Sequence, residues 1–306
     1  MALNTLKYEG LLNTLTAKFD NAVASATPFY PTICTTVQSN RISESYGMVG
    51  NMPGMREWLG DRKFKELRAA DFSITNKHWE SSLLVKKTDM DDDHMGLYPP
   101  MIEQLGIEAA HHPDELFFDT LLANATSTAC FDGQYFFDTD HSWGDSGSQS
   151  NDLTYNATDH TAVTATEFKA AFNAARVAML KFKNDQGKFL NRPMVQSMSN
   201  LMVLVPPELQ QVAEDAINSV LISNSTNIVL DRPKIMVSAY LTSAVKFYVF
   251  NLGGPLKPFI FQARAPLTRQ TKGLDDLETK DVKFMTEARY NMGYLAWWTA
   301  VLTEFN

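Results

Sequence analysis

The order of the apolar patterns constrains this chain most: a mixed strand-and-helix region leads into a helix–strand–helix unit, and strands return after it. Residues 160–250 carry the middle unit. Thr164 and Glu167 form a capping-box pattern, and Phe168, Phe172, Ala175, Met179 and Phe182 follow at steps of four and three. Leu201 to Val205 reads as a strand ended by Pro206 and Pro207. Leu209, Val212, Ala213, Ala216, Ile217 and Val220 then share one face of an amphipathic helix, and strand-like runs come at 234–239 and 244–251. The tail, 256–306, goes back to strands: Phe259–Ala263, Val282–Glu287 and an aromatic run from Tyr290 to Phe305. Such a chain leaves one domain, builds a compact α/β unit and comes back, so the C-terminal strands are expected to complete the first domain.

The N-terminal half has less private apolar patterning. Residues 1–26 predict a short helix whose stripe (Leu3, Leu6, Leu11, Leu12, Leu15, Phe19) is uneven, followed by breaks at Pro28 and Pro31. A weakly amphipathic arm of this kind is expected to dock on something other than its own core. Residues 40–66 are turn-rich. Residues 67–88 predict two strands of a long hairpin around Asn76-Lys77-His78, with incomplete alternation that fits a hairpin lying across a neighbour. Residues 99–124 predict a helix started by Pro99 and Pro100 and kinked or restarted at Pro113, which lacks a backbone donor. Residues 130–160 are loop-rich, and the stretch WGDSGSQSND is expected to be exposed.

Composition bounds the function classes. The chain has 306 residues, a prior of about two domains, and its 44% hydrophobic content can bury a core without metals or disulfides. A net charge of −8 argues against a protein built to grip nucleic acid, which needs clustered Lys and Arg. It is compatible with a wall around packed DNA. The two cysteines, Cys34 and Cys130, are far apart and form no CxxC pair, which fits free thiols in a reducing cytoplasm. No stretch approaches the ~20 apolar residues of a membrane span, and the N-terminus lacks a secretory pattern.

Three constellations invite chemistry, and each has a plainer reading. Asp91, Asp92, Asp93 and His94 could hold a divalent metal, but acidic residues before a helix also suit its N-terminal dipole. His111 and His112 are adjacent, so on a helix their side chains diverge by about 100° and cannot chelate one ion together. The run Cys130 to His141 contains Cys, Asp and His. A hairpin around Asp132-Gly133 would bring Cys130 opposite His141, giving a hydrolase reading with Cys130, His141 and Asp140. No Gly-rich elbow or oxyanion donor set accompanies it. No P-loop, GxGxxG or DNA-reading motif is present. No catalytic residue, metal ligand or cofactor is assigned.

Taken in order, Gly54-Met55-Arg56-Glu57-Trp58-Leu59-Gly60-Asp61-Arg62, Phe72 to Val85, Asp91–Asp93, AAHHPDEL and CFDGQYFFDTDH resemble the major head subunit (major capsid protein) of Mu-like phages, over nearly the whole chain. The resemblance implies an α+β architecture of the Hong Kong 97 type. Residues 1–45 would be the N-terminal arm and 46–96 the extended loop with its base, the loop itself resembling 55–88. Residues 97–159 would be the peripheral domain with its long spine helix and a β-hairpin, 160–250 the axial domain, and 251–306 the C-terminal strands completing the peripheral domain. It further implies a structural protein of the virion, assembled in a bacterial cytoplasm. Copies would form hexamers and pentamers, then an icosahedral head enclosing double-stranded DNA without sequence-specific binding. The remaining partners would be a portal, a decoration protein, and a scaffolding protein that is expected to be separate because Met1 lies close to the arm. Phe19, Phe29 and Tyr30 on the arm, Trp58 and Arg62 near the loop base, and Trp79 on the loop are the candidate inter-subunit contacts, because aromatic and Arg side chains dominate interface energetics. A virion ring or tail protein is the alternative structural reading.

Overall fold

The computed structural model describes residues 2–49, 69–86, 88, 96–191, 197–218, 221–222, 225–226, 232–272 and 281–306. Two sheets organise them. The first has five strands in the order β5 (Asp152–Tyr155), β13 (Ala300–Phe305), β10 (Lys246–Asn251), β6 (Leu201–Val205) and β9 (Lys234–Val237). Every residue of β6 is buried, and β10 buries Phe247, Val249, Phe250 and Asn251, so these strands are enclosed on both faces. Helix α4 (Ala165–Lys181) covers this sheet through Phe168, Ala171, Phe172, Ala175 and Met179. It starts where its cap demands: Thr164 Oγ1 accepts from the Glu167 N–H, and Glu167 Oε2 accepts from the Thr164 N–H at 2.9 Å. Glu167 also accepts from the Thr158 N–H, and these bonds hold its carboxyl down at about 2. Helix α5 (Gln210–Asn218) packs beside α4, and a two-stranded ladder of β7 (Leu221–Ile222) and β8 (Ser225–Thr226) follows it.

The second sheet has four strands in the order β1 (Cys34–Gln38), β11 (Phe259–Lys272), β12 (Val282–Tyr294) and β4 (Lys77–Val85). β12 alternates buried and half-buried residues. Val282, Phe284, Thr286, Ala288 and Tyr290 form its buried set, while Lys283, Met285, Glu287 and Arg289 alternate with them. Two helices contribute to the core on the buried side: α1 (Ala2–Ser25) and α3 (Tyr98–Glu115). Leu15 and Phe19 of α1 form one cluster with Ile102 and Phe284. The closest approach is at Gly106, where a Cβ would come within 2.9 Å of Phe19 O and the Ala22 Cβ. The short helix α2 (Tyr30–Ile33) joins α1 to β1.

The structure corrects several expectations. Residues 1–26 form a long helix that docks on the chain's own α3 and sheet, because Gly106 permits a contact that an uneven stripe does not advertise. The strands predicted in 67–88 exist but do not pair with each other: β3 (Ala69–Thr75) pairs with β2 (Ser43–Val49), and β4 pairs with β12. Asn76 alone separates them, fewer than the two residues of the shortest common hairpin loop. Its N–H donates to Ile42 O and its side chain to Ser39 Oγ and Arg41 O, fixing it to the preceding loop. Pro113 neither breaks nor restarts its helix. The backbone continues past it as a π-helical stretch, Leu116–Leu122. Among the C-terminal strands, β11 and β12 lie in the four-stranded sheet between β1 and β4. β13 instead inserts between β5 and β10 in the five-stranded sheet. Within WGDSGSQSND, Ser146 and Asn151 are buried, and Asn151 donates to Phe136 O and Trp297 O.

Candidate assembly surfaces

The β2–β3 pair stands outside both larger sheets. Its register runs from Ser43↔Thr75 to Val49↔Ala69, and among the described residues neither strand pairs with any other. Its base is rooted. Tyr46 stacks on Phe72 with ring centroids 5.3 Å apart, and its hydroxyl donates to Gln262 Oε1 at 2.7 Å. Gln262 Nε2 donates to Ile74 O, and the Ile74 side chain presses on Gly293, where a Cβ would come within 2.5 Å of it. The strands end toward residues 50–68. Candidates Trp58 and Arg62 lie there, outside the described residues, as do Asp91–Asp93 and His94.

Trp79 lies half-buried on β4, over a groove between α3 and the sheet. Its Nε1–H donates to Tyr290 O at 3.1 Å, and its ring centroid is 4.5 Å from that of His112. His112 Nδ1 meets the Tyr290 hydroxyl, and burial holds the imidazole below its ordinary value against an opposing pull from Glu115. The groove encloses about 260 Å³, with Glu80, Glu108, Glu115 and Glu287 among its lining residues. Of the six candidate contacts, Trp79 is the described one that lines a surface groove of this size.

The arm candidates pack within the chain, Phe19 fully and Phe29 and Tyr30 as half-buried residues. Phe19 is 3% exposed and lies 5.3 Å from Phe284, so it has almost no surface left for a neighbour. Phe29 packs between Phe117 and Phe118, and Tyr30 against Phe261 at 4.4 Å. The residue that fixes both was not singled out from the sequence. The Asp114 carboxylate accepts the N–H groups of Phe29 and Tyr30 at 2.8 and 2.7 Å, capping α2 from the spine helix, and also meets His111. Its signal was an acidic residue on the apolar side of a predicted helix. His111 and His112 thus face different partners.

The Cys130 to His141 run does not assemble a nucleophile and base. Cys130 N–H donates to Gln134 O around Gly133 (φ 86°), and Ala129 bridges Tyr135, so the turn is tight and His141 instead bridges Gln149. Both ring nitrogens of His141 face other groups: Nδ1 meets Asp132 Oδ2 at 2.7 Å, and Nε2 meets Phe136 O at 3.3 Å. The imidazole stacks flat on Trp297, centroids 3.9 Å apart, with both the His141 and Asp132 side chains fully buried. Burial pushes the Cys130 thiol up, away from the reactive thiolate, and Asp140 is exposed. The cluster pins the 130–141 loop onto the turn before β13. Among the described residues, no group of three or more His, Cys, Asp or Glu could hold a metal ion, and no helix is long and apolar enough to cross a membrane.

The fold of this chain recurs in solved capsid and particle proteins. The chain superposes on the procapsid protein of bacteriophage JBD30 with a TM-score of 0.56 and 25% identity, covering 97% of this chain and 74% of that one. It superposes on the capsid protein of cyanophage P-SCSP1u with a TM-score of 0.63 at 12% identity, covering 92% and 89%. The virus-like particle protein of Pyrococcus furiosus gives 0.55 at 11% identity, covering 95% and 98%. These are Hong Kong 97-type capsid folds, and this chain has that α+β architecture. In sequence it is 44% identical over 126 residues to the "Mu-like prophage FluMu major head subunit" of Haemophilus influenzae, and 33% identical over 141 residues to the "Major capsid protein" of Escherichia phage Mu. These stretches span less than half of either relative, 41% and 46% of their lengths. The family model of the Mu-like prophage major head subunit gpT matches residues 8–168 and 157–241, from within α1 through β9, and the chain therefore belongs to that family.

Proposed function

We propose that this chain is the major capsid protein of a Mu-like tailed phage, a non-enzymatic subunit that assembles with copies of itself into hexamers, pentamers and a closed icosahedral head around double-stranded DNA. The observation that carries this reading is the β2–β3 pair. An isolated two-stranded ladder is marginal in water, and among the described residues neither strand pairs with any third one, Tyr46, Ile74 and Thr75 tying the pair to β11 and β12 by side-chain hydrogen bonds. Packing against an adjoining copy would supply the missing burial. Contacts that close into rings are heterologous, and arm, loop and domain together multiply individually weak interfaces. The acidic balance of the chain suits a wall that does not adhere to its contents. A portal, a separate scaffolding protein and a decoration protein are the further partners of this reading, and the virion is its location.

The test is expression of the chain with and without a neighbouring scaffold gene, viewed by negative-stain microscopy. Closed particles of uniform diameter are the expected result. Tubes or isolated rings under both conditions would favour a tail or ring protein. Trp79→Ala gives a finer reading: particles of normal yield and thermal stability would remove this residue from the contact set.

A further inference from the structure

Two corners of the five-stranded sheet each expose an aromatic ring, one beside Lys181, Lys183 and Lys188 with Asp145 and Asp185 at its rim, the other beside carboxylates. At the first, the loop entering β5 is laced to the loop after α4: Gln149 Nε2 donates to Lys183 O at 3.1 Å, and the Asp145 N–H donates to Asp185 O at 2.8 Å. Between them and the last turn of α4 is a cleft of about 480 Å³, lined by Phe189, Lys181 and Lys183 with serines and no carboxylate. Phe189 is 45% exposed, with the Lys183 ammonium 5.8 Å from its ring centroid, and Lys188 is exposed next to it in sequence.

At the second corner, beyond the end of β9, Tyr240 stacks on Phe118 with centroids 5.1 Å apart and planes within 6°. Phe118 stacks in turn on Phe29, so Tyr240 is the outermost of three rings and is 46% exposed. Glu108 and Asp119 are exposed and Glu115 half-exposed along α3 and its continuation. Burial raises the Tyr240 phenol, and the charges of Glu115, Asp119, Glu108 and Asp114 raise it further, which puts the ring in a field of one sign. Four strands of the sheet run one way and β10 runs against them. The first corner precedes β5 at one edge and the second follows β9 at the other, so they are diagonally opposite within one copy.

We propose that these corners bind each other between neighbouring copies: Tyr240 of one seats against the Phe189 cleft of the next, with Glu108, Glu115 and Asp119 facing Lys181, Lys183 and Lys188. Two different surfaces then meet in a head-to-tail contact, the type that generates rings. The two exposed rings supply the apolar centre, and the charges fix register and exclude other pairings. The inference rests on the shell-subunit reading.

Charge exchange in the full chain tests it. Lys181→Glu/Lys183→Glu/Lys188→Glu is expected to cut ring and particle yield about tenfold or more, as is Glu108→Lys/Glu115→Lys/Asp119→Lys, with thermal melts near that of wild type, since like charges now oppose. The chain carrying all six changes is expected to recover. An equal mixture of the two triple variants should form hexamers, where opposite corners alternate, but not pentamers. The pairing is overturned if either folded triple variant assembles at wild-type yield, or if the six-fold variant folds and stays as deficient as the triples. Should a triple variant fail to fold, the single exchange Lys183→Glu with Glu115→Lys is judged by the same criteria, using sedimentation to count copies per ring. Wild-type rings that never close into shells would count against the shell reading and leave the exchanges to decide the pairing.

Discussion

The two sheets of this molecule solve burial in different ways. In the five-stranded sheet, β6 and β10 are enclosed from both sides, and Phe168, Phe247 and Phe305 meet around α4 with centroids 4.7–6.0 Å apart. In the four-stranded sheet, β12 buries alternate residues from Val282 to Tyr290, and α1, one of the helices behind it, is held by Leu15 and Phe19 and by the close approach at Gly106. A region that fills its own core resists rearrangement. A region with alternating strands, edge strands and a separate ladder leaves more of its described surface uncovered by its own chain.

The sharpest way to break this contrast is inside the self-sufficient sheet. Phe247→Ala empties a fully buried site and should cost ~3–5 kcal/mol in chemical denaturation, unfolding the region as a unit. Loss below 1 kcal/mol would mean that this core is looser than its packing indicates. Gly106→Leu should act on the other region, costing ~1–3 kcal/mol through overpacking at α1. Hydrogen exchange is expected to rise across α1 while β6 and β10 keep their protection; equal softening of both would erase the distinction. Thr164→Ala removes the α4 cap and should cost about 1 kcal/mol, read as a lower denaturation midpoint. Glu167, the other half of that box, titrates in the same sense. Its folded carboxyl lies below the ordinary 4.5, so its contribution is present above about pH 4.5 and lost as pH falls through about 2. Acid melts of wild type and Thr164→Ala should therefore converge at low pH. Asp20→Asn on α1 weakens an exposed two-point bond to Arg269 of β11, and ~0–1 kcal/mol is expected, fading in salt.

The same contrast explains what was legible in the sequence. α4, β6, α5, β9 and β10 follow from periodicity and caps, because their apolar faces are satisfied locally and in order. The capping box at Thr164 and Glu167 is present atom for atom. The resemblance to Mu-like head subunits carried the family and the fold. Pairing partners were not legible. Alternation identifies β3 and β4 as strands, but only the fixing of Asn76 to residues 39–42 shows that they part company. The contact of α1 with α3 depends on a glycine that resembles any other helix glycine. The Asp132–His141 pair is invisible without the tight turn at Gly133, which puts the acid nine positions away, instead of Asp140, on the imidazole. Long-range register and side-chain direction are set by tertiary packing, which local patterns do not encode.

The position of β13 has a kinetic consequence. Among the described residues β5 pairs with β13 alone, and β10 pairs with β13 from Lys246 to Phe250, yet these strands are far apart in the chain. Until residues 300–305 arrive, β5 has nothing to pair with and β10 offers an open, phenylalanine-rich rim. Closing such remote segments is slow, and a half-made sheet is adhesive. The crowded moment for this protein is therefore before it is folded, and a chaperone that shields the β10 rim would raise the yield of soluble subunits more than one acting on the α1 side.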